Sequence, residues 1–484
     1  MGCPCGKTKF MPQRYIIAIL CMTGVILSYG QRICMNITIT EMTEKNGSRS
    51  ESCPPRNSSF TKGPKRNISG GTLHWSNREQ HYVISSFYIG YVLAHLPSGM
   101  LCDYFGARYP FLIGLTLSTL ITFATPLLCT TPYFVVIASR IIHGVAQAPL
   151  YPGISALFAK WVPLNERAFL GSFSMAANAF GCVLGNFLTG ATVHLIGSWP
   201  IGFYLWAVIG SVWCVLFALW AYSSPAVHPF ITDREKAYLE GAIVKYSTKM
   251  KIPWKGILTC VPIWAIVVLE IGHGFTVYTL LNAFPKYLHD VLQFELSENA
   301  IASSLPFSMQ WFSAVAFGMF ADYLIVKRGM RVILCRRLMA VFGMVPAAAC
   351  NVLAGYMMCN AELAVLMFTF GVILKGPVFS GSKVNHLELT TNFAGLVMAL
   401  CNGIGAISGF LSSAIITAVA PGNTLEEWHL VFWIMFGIAV VTSIFYWFLS
   451  SDIRQKWDYP EDELDMYEKA AEERRAKITV SKPE

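Results

Sequence analysis

The stretch GMLCDYFGAR, residues 99–108, decides the fold, because a second stretch, GMFADYLIVKRG at residues 318–329, repeats part of it. The Gly, Met, Asp and Tyr of the first stretch recur in register 219 residues later. Each copy directly follows a long apolar segment. The repeat therefore predicts two halves of related structure, each with this stretch at the end of a corresponding helix.

The composition places these halves in a membrane. Of the 484 residues, 54% are hydrophobic and 13% are charged, whereas a soluble globular domain carries roughly 25% charged residues. A membrane-spanning helix needs about 20 mostly apolar residues, and helices satisfy their own backbone groups in lipid. About twelve such segments are present, so we predict an all-α integral membrane protein with about twelve transmembrane helices. The segments are centred on residues 16–38, 82–102, 109–129, 132–157, 170–195, 200–222, 258–284, 300–324, 333–358, 362–381, 392–420 and 429–450.

The loops give the predicted domain organisation. We expect an N-terminal six-helix half at 1–222, a cytoplasmic linker at 223–257, a C-terminal six-helix half at 258–450 and a tail at 451–484. Lysine and arginine cluster in alternate loops, which predicts that both termini are cytoplasmic. Basic loops beside anionic lipid also account for the net charge of +8, so a nucleic-acid partner is not needed. Two parallel halves with a site between them are one way to build an alternating-access transporter.

The first outer loop, near residues 41–80, carries candidate glycosylation sites. Three N-x-S/T acceptors begin at Asn46, Asn57 and Asn67. Such acceptors are modified on surface loops that face the lumen of the secretory pathway. The loop is therefore predicted to be extracellular or lumenal and glycosylated.

The repeated stretch has a physical role of its own. Gly99 and Gly318 allow neighbouring helices to approach closely. Asp103 and Asp322 come at helix ends, beside basic residues such as Arg108. A carboxylate at such a place can pair with a cation or with a helix N-terminus. We therefore predict that Asp103, Arg108 and Asp322 form an inner gate.

An apolar segment of the first half carries an unusual polar stripe. In SRIIHGVAQAPLYPG, residues 139–153, Arg140 is followed by His143, Gln147 and Tyr151 at helical spacing on one face. A charged residue inside a membrane is costly and is by default a functional candidate. We expect this stripe to face a water-filled cavity, with Arg140, His143 and Gln147 binding substrate.

The first predicted helix carries a second intramembrane arginine, Arg32, with Asn36 one turn further on. The guanidinium group presents a planar fork of donors that suits carboxylate or phosphate. Two arginines in one cavity therefore predict an anionic substrate, with Arg32 as a further substrate-binding residue.

The second half has its own ionisable residues within apolar segments. Glu270 and His273 lie one turn apart in one segment, and Lys375 lies in another. A buried Glu and a buried Lys are expected to pair, either as a static ion pair or with a role in coupling. His273 and Tyr278 are expected to line the cavity and contact substrate.

The chain resembles the major facilitator superfamily, whose G-x-x-x-D-x-x-G-R-[RK] loop is matched by Gly99, Asp103, Gly106 and Arg108. Within it, the chain is most similar to the anion–cation symporters, which include sialin, vesicular glutamate transporters and sodium–phosphate cotransporters. The resemblance implies the major facilitator fold and transport of a small anion with a coupled cation. Four stretches carry it: YGQRICMNITI, KWVPLNERAFLGS, FTVYTLLNAFPKYL and KVNHLEL…FAGLVMALCNGIGAISG.

One residue departs from part of that family. Where sialin and the vesicular glutamate transporters look to carry a titrating glutamate, this chain has Gln147. The phosphate-cotransporter branch resembles the chain better here. An amide does not titrate, so we predict sodium as the coupling ion, with oxygen ligands from Gln147, Asn36, backbone carbonyls and Glu270. Proton coupling and voltage-driven transport stay open as alternatives.

Other classes of membrane protein fit the sequence less well. An anion channel accounts for the arginines but not for the duplicated gating stretch. No nucleophile or metal constellation indicates an enzyme, and no G-x-x-x-x-G-K-[ST] motif indicates ATP hydrolysis. We therefore expect a secondary transporter without a cofactor other than the coupling ion, functional as a monomer. Inorganic phosphate and small organic anions are the candidate substrates, and the plasma membrane is favoured over a vesicle or lysosome.

Overall fold

Long apolar helices make up nearly all of the regular structure. The computed structural model describes residues 11–42, 73, 75–243, 250–290, 296–357, 360–420, 424–460 and 464–465. The three predicted glycosylation sites, Asn46, Asn57 and Asn67, lie outside the described residues. Within the described ranges the helices form an N-terminal set, two short linker helices and a C-terminal set.

The N-terminal set packs the first half of the chain into one bundle. Its helices are α1 (Gln13–Met42), α2 (Asn77–Phe105), α3 (Arg108–Leu128), α4 (Tyr133–Gln147), α5 (Leu150–Trp161), α6 (Arg167–Met175), α7 (Ala177–Ile196) and α8 (Pro200–Trp220). The linker contributes α9 (Asp233–Ala242) and α10 (Trp254–Leu258).

The C-terminal set repeats this arrangement. Its helices are α11 (Val261–Asp290), α12 (Leu296–Val326), α13 (Val332–Tyr356), α14 (Ala361–Leu374), α15 (Ser382–Leu389), α16 (Ala394–Ala406), α17 (Ser408–Val419) and α18 (Leu425–Leu449). Single 3-10 turns lie at Leu164–Glu166, Pro225–Val227, Gly376–Phe379 and Lys456–Asp458.

Eleven helical stretches among the described residues are long and apolar enough to cross a membrane. The predicted span at 82–102 is absent from these eleven, although α2 has 29 residues and is long enough. Polar side chains such as Ser86, His95 and Ser98 lower its hydropathy, and all three are buried. Because α2 packs between α4 and α16, its polar groups are covered by protein instead of lipid. With α2, the described helices give the expected twelve spans.

The same two spans are interrupted in both sets. The fourth span breaks between α4 and α5, and the tenth breaks between α14 and α15. Pro149 and Pro377 lie at these breaks, where a proline removes a backbone donor. The fifth span breaks between α6 and α7, and the eleventh between α16 and α17. These matching breaks agree with two related halves, while the predicted boundaries at 223–257 stay a prediction.

Asp103, Asp322, the start of α1 and the chain after α18 lie on one face of the molecule, which we call the motif face. The linker packs against this face. Glu235 on α9 accepts a hydrogen bond from the Gln13 backbone N–H at 2.9 Å. Arg14 pairs with Glu235 at 3.2 Å and with Glu166 at 2.7 Å. The linker helix α9 is thus anchored to the N-terminal set through the first turn of α1.

The segment after α18, residues 450–459, crosses the motif face as a strap. The fully buried carboxylate of Asp458 accepts hydrogen bonds from the backbone N–H groups of Thr391 at 2.9 Å and Asn392 at 3.0 Å. It also accepts from the Thr390 hydroxyl and from Arg454 Nε. The strap therefore fixes the turn at 390–392, which leads directly into α16.

Candidate functional site

A cavity lies between the N-terminal and the C-terminal sets of helices. Its volume is about 70 Å³, several times the roughly 10–15 Å³ that one water needs on the same measure. Aromatic and apolar side chains form most of the wall, with a few polar groups, as is usual for small-molecule sites. The wall includes Tyr29, Tyr91, Tyr151, Cys182, Glu270, His273, Tyr278, Gln310, Lys383 and Asn402.

One ion pair lies in the wall of this cavity. The Glu270 Oε2 atom on α11 is 2.5 Å from the Lys383 Nζ atom on α15, and the side chains are 5% and 8% exposed. The Lys383 ammonium also donates to Asn402 Oδ1 on α16 at 3.3 Å. Ser382 Oγ donates to Glu270 Oε1 at 3.5 Å. Among the described residues that line the cavity, Lys383 is the one lysine or arginine.

The pair expected between Glu270 and Lys375 is not formed, and this expectation is corrected. Lys375 is buried, and its ammonium donates to the His273 backbone carbonyl at 3.4 Å. The cause is the break in the tenth span. Helix α14 ends at Leu374 and α15 begins at Ser382, so that Lys383 faces Glu270 and Lys375 does not.

His273 and Tyr278, both expected to line the cavity, do line it. The His273 ring stands perpendicular to the Phe379 ring at 5.7 Å between centroids. Its Nδ1 atom is buried and has no hydrogen-bond partner among the described residues. The Tyr278 ring meets Tyr88 of the N-terminal set edge-on at 5.9 Å. Their part in binding substrate stays a prediction.

Arg32 lies behind the cavity wall. Its guanidinium carbon is 4.3 Å from the centre of the Phe87 ring, 4.5 Å from Tyr29 and 5.1 Å from Tyr91. Its Nη2 atom donates to Gln147 Oε1 at 3.2 Å. Because Tyr29 and Tyr91 line the cavity, the guanidinium is one layer of side chains away from it.

Arg140 and His143 are linked by a hydrogen bond of 3.1 Å between Arg140 Nη1 and His143 Nδ1. A guanidinium only donates, so Nδ1 accepts and the neutral imidazole carries its proton on Nε2. That proton is directed at Ser118 Oγ, 2.8 Å away. Ser118 also accepts from Gln147 Nε2 at 3.0 Å and donates to Gln31 Oε1 at 2.6 Å. The network leaves the His143 Nδ1 atom occupied by a cationic donor.

The polar stripe of the fourth span therefore does not face the cavity as expected. Arg140, His143 and Gln147 are buried against α1, α2 and α3. Of the four stripe residues, Tyr151 alone is in the cavity wall. The stripe is split because α4 ends at Gln147, ahead of Pro149, and Tyr151 belongs to α5.

Asn36 lies one turn beyond Arg32 on α1. Its side-chain oxygen is buried and has no hydrogen-bond partner among the described residues. The other predicted sodium ligands are arranged less favourably, because the Gln147 oxygen accepts from Arg32 and Glu270 pairs with Lys383. Among the described residues, no hydrogen bond or ion pair brings Asn36 and Gln147 to one oxygen-lined site.

The buried charges around the cavity do not balance. In the described part of the chain, no carboxylate lies within 4 Å of the buried side chains of Arg32, Arg140 and Lys375, and the two arginines keep their charge when buried. Glu270 is neutralised by Lys383. Charges that are buried without partners create a strong local potential. Among the described residues the excess is positive, and such a potential attracts a negatively charged group.

The motif face is closed by two equivalent contacts. The Asp103 carboxylate on α2 accepts hydrogen bonds from the backbone N–H groups of Gly395 at 3.0 Å and Leu396 at 2.7 Å, in the first turn of α16. A Cβ atom on Gly99 would lie 2.6 Å from Ala399 Cβ and 2.7 Å from the Gly395 carbonyl oxygen. Glycine at 99 is therefore what permits this close crossing of α2 and α16.

The second copy of the motif makes the mirror contact. The Asp322 carboxylate on α12 accepts hydrogen bonds from the backbone N–H groups of Ala168 at 3.1 Å and Phe169 at 2.8 Å, in the first turn of α6. A Cβ atom on Gly318 would lie 2.9 Å from the Ala168 carbonyl oxygen. Each carboxylate thus crosses to the other set of helices and meets the positive end of a helix dipole.

Arg108, the third predicted gating residue, makes its contacts within the N-terminal set. Its Nη2 atom donates to the Ala218 carbonyl at 2.6 Å, and its guanidinium lies 4.1 Å from the centre of the Tyr222 ring. It therefore holds the C-terminal end of α8 and does not bridge the two sets. Arg167 does bridge them, because its Nη1 atom donates to the Leu387 carbonyl at 3.1 Å.

Sequence reasoning did not identify Lys383, Asn402 or Ser118 as site residues. The tenth segment was predicted to end at residue 381, which placed Lys383 in a loop. The available signal was a lysine between two apolar stretches, in a region with Pro377 and several glycines that indicate a broken helix. Ser118 had no signal of its own, because a serine in an apolar helix is unremarkable until its neighbours are known.

Comparisons with known proteins agree over most of the chain. A family model described as Major Facilitator Superfamily matches residues 21–413. The chain is 30% identical over 470 residues to the "Putative inorganic phosphate cotransporter" of Drosophila melanogaster, covering 93% of this chain and 87% of that protein. It is 29% identical to human sialin, covering 92% and 90%. It is also 29% identical to vesicular glutamate transporter 1 of Xenopus tropicalis, covering 94% and 78%.

Among solved structures, the proton:xylose symporter XylE shares the fold. The match has a TM-score of 0.66 at 15% identity and covers 94% of this chain and 98% of that chain. At this identity the likeness concerns the fold alone.

Proposed function

This chain is a member of the major facilitator superfamily, and from that premise we propose that it is a secondary transporter that carries a small anion across a membrane by alternating access. Inorganic phosphate and small organic anions are the candidate substrates. The names of its relatives, a phosphate cotransporter, sialin and vesicular glutamate transporters, support an anion as cargo.

The observation that carries this proposal is the unbalanced positive charge beside the cavity. Arg32, Arg140 and Lys375 are buried around a chamber between two sets of helices and have no carboxylate partner in the described part of the chain. An anion that enters the cavity gains from this potential, and a cation is repelled. The tyrosines of the wall offer hydroxyl donors to the anion and apolar surface to any organic body it has.

The closed motif face supports alternating access. Asp103 and Asp322 each tie one set of helices to the other on this face. A carrier must break such contacts when it opens there, whereas a channel needs no alternation. We call these two equivalent contacts the clamp. Each is made by a carboxylate and a helix N-terminus, so both can open without a covalent change.

Sodium and the proton are the two candidate coupling cations. Sodium is the prediction from the sequence, but the Gln147 oxygen faces the Arg32 guanidinium at 3.2 Å, which disfavours a second cation there. Asn36 keeps a buried side-chain oxygen without a partner among the described residues, so it is the remaining candidate ligand. Proton coupling is favoured by a different observation, the ion pair in the cavity wall.

The protein is a multi-pass membrane protein, and we propose that its termini face the cytoplasm and that it acts in the plasma membrane as a monomer. Voltage-driven export of an organic anion is the second candidate function. It is favoured by the same excess of buried positive charge, since an anion that crosses alone gains about 2.3 kcal/mol per 100 mV when it leaves the cell. An anion channel is the less favoured function, because a channel does not need the clamp to open and close in alternation.

Uptake into proteoliposomes tests the proposal. Labelled phosphate, urate, succinate and glutamate are offered separately, under an imposed sodium gradient, proton gradient or voltage. The proposal expects saturable uptake of at least one anion and acceleration by unlabelled anion on the opposite side. Flux that does not saturate and shows no such acceleration would indicate a channel, and no flux of any anion would remove the proposal.

A further inference from the structure

We propose that Glu270 and Lys383 form an exchangeable ion pair, in which the transported anion replaces the Glu270 carboxylate at Lys383 and Glu270 takes up a proton. This inference rests on the proposed function, that the cavity carries an anion, and adds the residue that binds it and the cation that accompanies it. It assigns both roles to the C-terminal set of helices.

Lys383 is the basic residue of the described chain that is placed to contact the anion. Arg32 and Arg140 are separated from the cavity by other side chains, whereas Lys383 is in its wall. Its ammonium group has two partners, Glu270 at 2.5 Å and Asn402 at 3.3 Å. An ammonium has three donor hydrogens, but the position that neutralises its charge is taken. An anion therefore competes with Glu270 for the same cation.

The displaced Glu270 carboxylate would lose its ion-pair partner. Glu270 is 4% exposed, and a buried carboxylate without a partner is costly. The cost disappears when the carboxylate binds a proton. The exchange is balanced in charge: the contact between the Lys383 ammonium and Glu270 breaks, a contact between that ammonium and the anion forms, and one proton from water bonds to a Glu270 carboxyl oxygen. For a monovalent anion the loaded cavity has the same net charge as the empty one.

Several other polar and titratable groups surround Glu270. His273 shares its helix, α15 contributes Ser382 and Lys383, α16 contributes Cys401, and α18 contributes Tyr446. Lys375, the other nearby cation, is directed at the His273 carbonyl. Among these described neighbours no second carboxylate is present to share the proton. In the N-terminal set, His143 is a poor alternative because its Nδ1 atom accepts from Arg140.

The test compares proton and anion movement in proteoliposomes that contain wild type or Glu270→Gln. The probe is whichever of labelled phosphate or glutamate the wild type transports, and a trapped pH dye reports protons. Wild type is expected to take up about one extra proton for each anion, whereas Glu270→Gln is expected to carry the anion with no accompanying proton. An amide cannot titrate, so its anion uptake should also become independent of an imposed proton gradient.

The second variant is Lys383→Ala, which removes the proposed anion ligand. The KM for the anion is expected to rise about tenfold or more, as for loss of a charged hydrogen bond. Glu240→Gln and Lys251→Ala, at exposed sites of the linker region, are the matched controls and should behave as wild type. Purified yield and the thermal unfolding midpoint identify variants that fail to fold.

The outcomes separate the two levels of the proposal. No saturable anion flux by the wild type removes the proposed function itself. Anion flux with an unchanged proton ratio in folded Glu270→Gln, or an unchanged KM in folded Lys383→Ala, overturns the exchange while the anion transporter stands. If both variants fail to fold, Glu270→Asp, which keeps the charge and shortens the side chain, must retain proton movement with altered KM. Its loss of proton movement would contradict the exchange.

Discussion

Asp103 and Asp322 hold equivalent positions in the two sets of helices: each carboxylate accepts hydrogen bonds from the backbone N–H groups of the second and third residues of a helix in the other set. Asp103 binds Gly395 and Leu396 of α16, and Asp322 binds Ala168 and Phe169 of α6. The repeat in the sequence is thereby converted into a reciprocal clamp. The clamp accounts for the retention of an aspartate and a glycine in both copies of the motif.

Loss of one clamp carboxylate is expected to favour the state that is open on the motif face. Asp103→Asn and Asp322→Asn keep the shape but lose the charge at the helix N-terminus, and the open population should rise roughly two- to fivefold. The reporter is the rate at which a membrane-impermeant maleimide labels Ser172→Cys, a buried site beside Gly318, in a background without other reactive cysteines. Slower or unchanged labelling relative to Glu240→Gln would show that the contact does not hold the gate.

Two substitutions of Arg140 separate the effect of its positive charge from the effect of its hydrogen-bond geometry. Arg140→Lys keeps the positive charge but loses the fork that serves His143 Nδ1, so stability should fall by roughly 1–3 kcal/mol with little change in KM. Arg140→Met removes the charge as well, and KM should rise. Thermal unfolding and uptake kinetics of both variants give the comparison. A raised KM for Arg140→Lys at unchanged stability would return Arg140 to direct binding of the anion, as the sequence predicts.

Gln147→Glu is expected to make transport depend more steeply on pH than it does in the wild type. The Gln147 Nε2 atom donates to the Ser28 carbonyl at 3.1 Å and its Oε1 atom accepts from Arg32. An ionised glutamate would neutralise Arg32 and place an oxygen against the Ser28 carbonyl, whereas a protonated glutamate restores the donor. Uptake by the variant should therefore rise as pH falls, measured at equal pH on both sides. A profile identical to that of wild type would show that the region around Arg32 does not sense the substrate.

The strap after α18 is expected to stabilise the clamp indirectly. Asp458→Asn removes the charge that holds Thr391, Asn392 and Arg454, and the loss of such charged hydrogen bonds should cost roughly 1.5–3 kcal/mol. The unfolding midpoint should fall, and labelling of Ser172→Cys should be affected less than by Asp103→Asn. Asp465→Asn, at an exposed position further along the tail, is the matched control. Equal midpoints for the two variants would mean that the strap contributes nothing to stability.

The sequence was sufficient for the fold and for the positions of the two clamp aspartates. The duplicated motif and the apolar segments predicted the two sets of helices, and the spacing of Gly99 and Asp103 predicted close approach and a partner at a helix end. Both features depend on local sequence, namely the length of an apolar segment and the presence of a carboxylate at its end. The partner of each carboxylate was not predictable, because it comes from the other set of helices.

The site was predicted less completely because it depends on helix breaks. Two predictions failed at helix breaks: Arg140 was expected to face the cavity, and Lys375 was expected to pair with Glu270. The interruptions beside Pro149 and Pro377 rotate the chain by an amount that the spacing of residues in the sequence does not give. His273 and Tyr278 were placed correctly since α11 is continuous. The span at 82–102 was recognised in the sequence, but the protein partners that cover the polar groups of α2 are supplied only by the folded structure.

The central claim, that an anion binds at Lys383, is tested most directly by restoring the ammonium group chemically. Lys383→Cys in proteoliposomes should transport the anion poorly. Treatment with 2-aminoethyl methanethiosulfonate joins a thioethylamine to the introduced thiol by a disulfide, with methanesulfinate leaving, and so returns a primary ammonium to this position. We predict recovery of anion uptake, no recovery with the sulfonate-bearing analogue, and slower modification when unlabelled anion is present. Uptake that stays low after mass spectrometry shows complete modification at this position would contradict the claim.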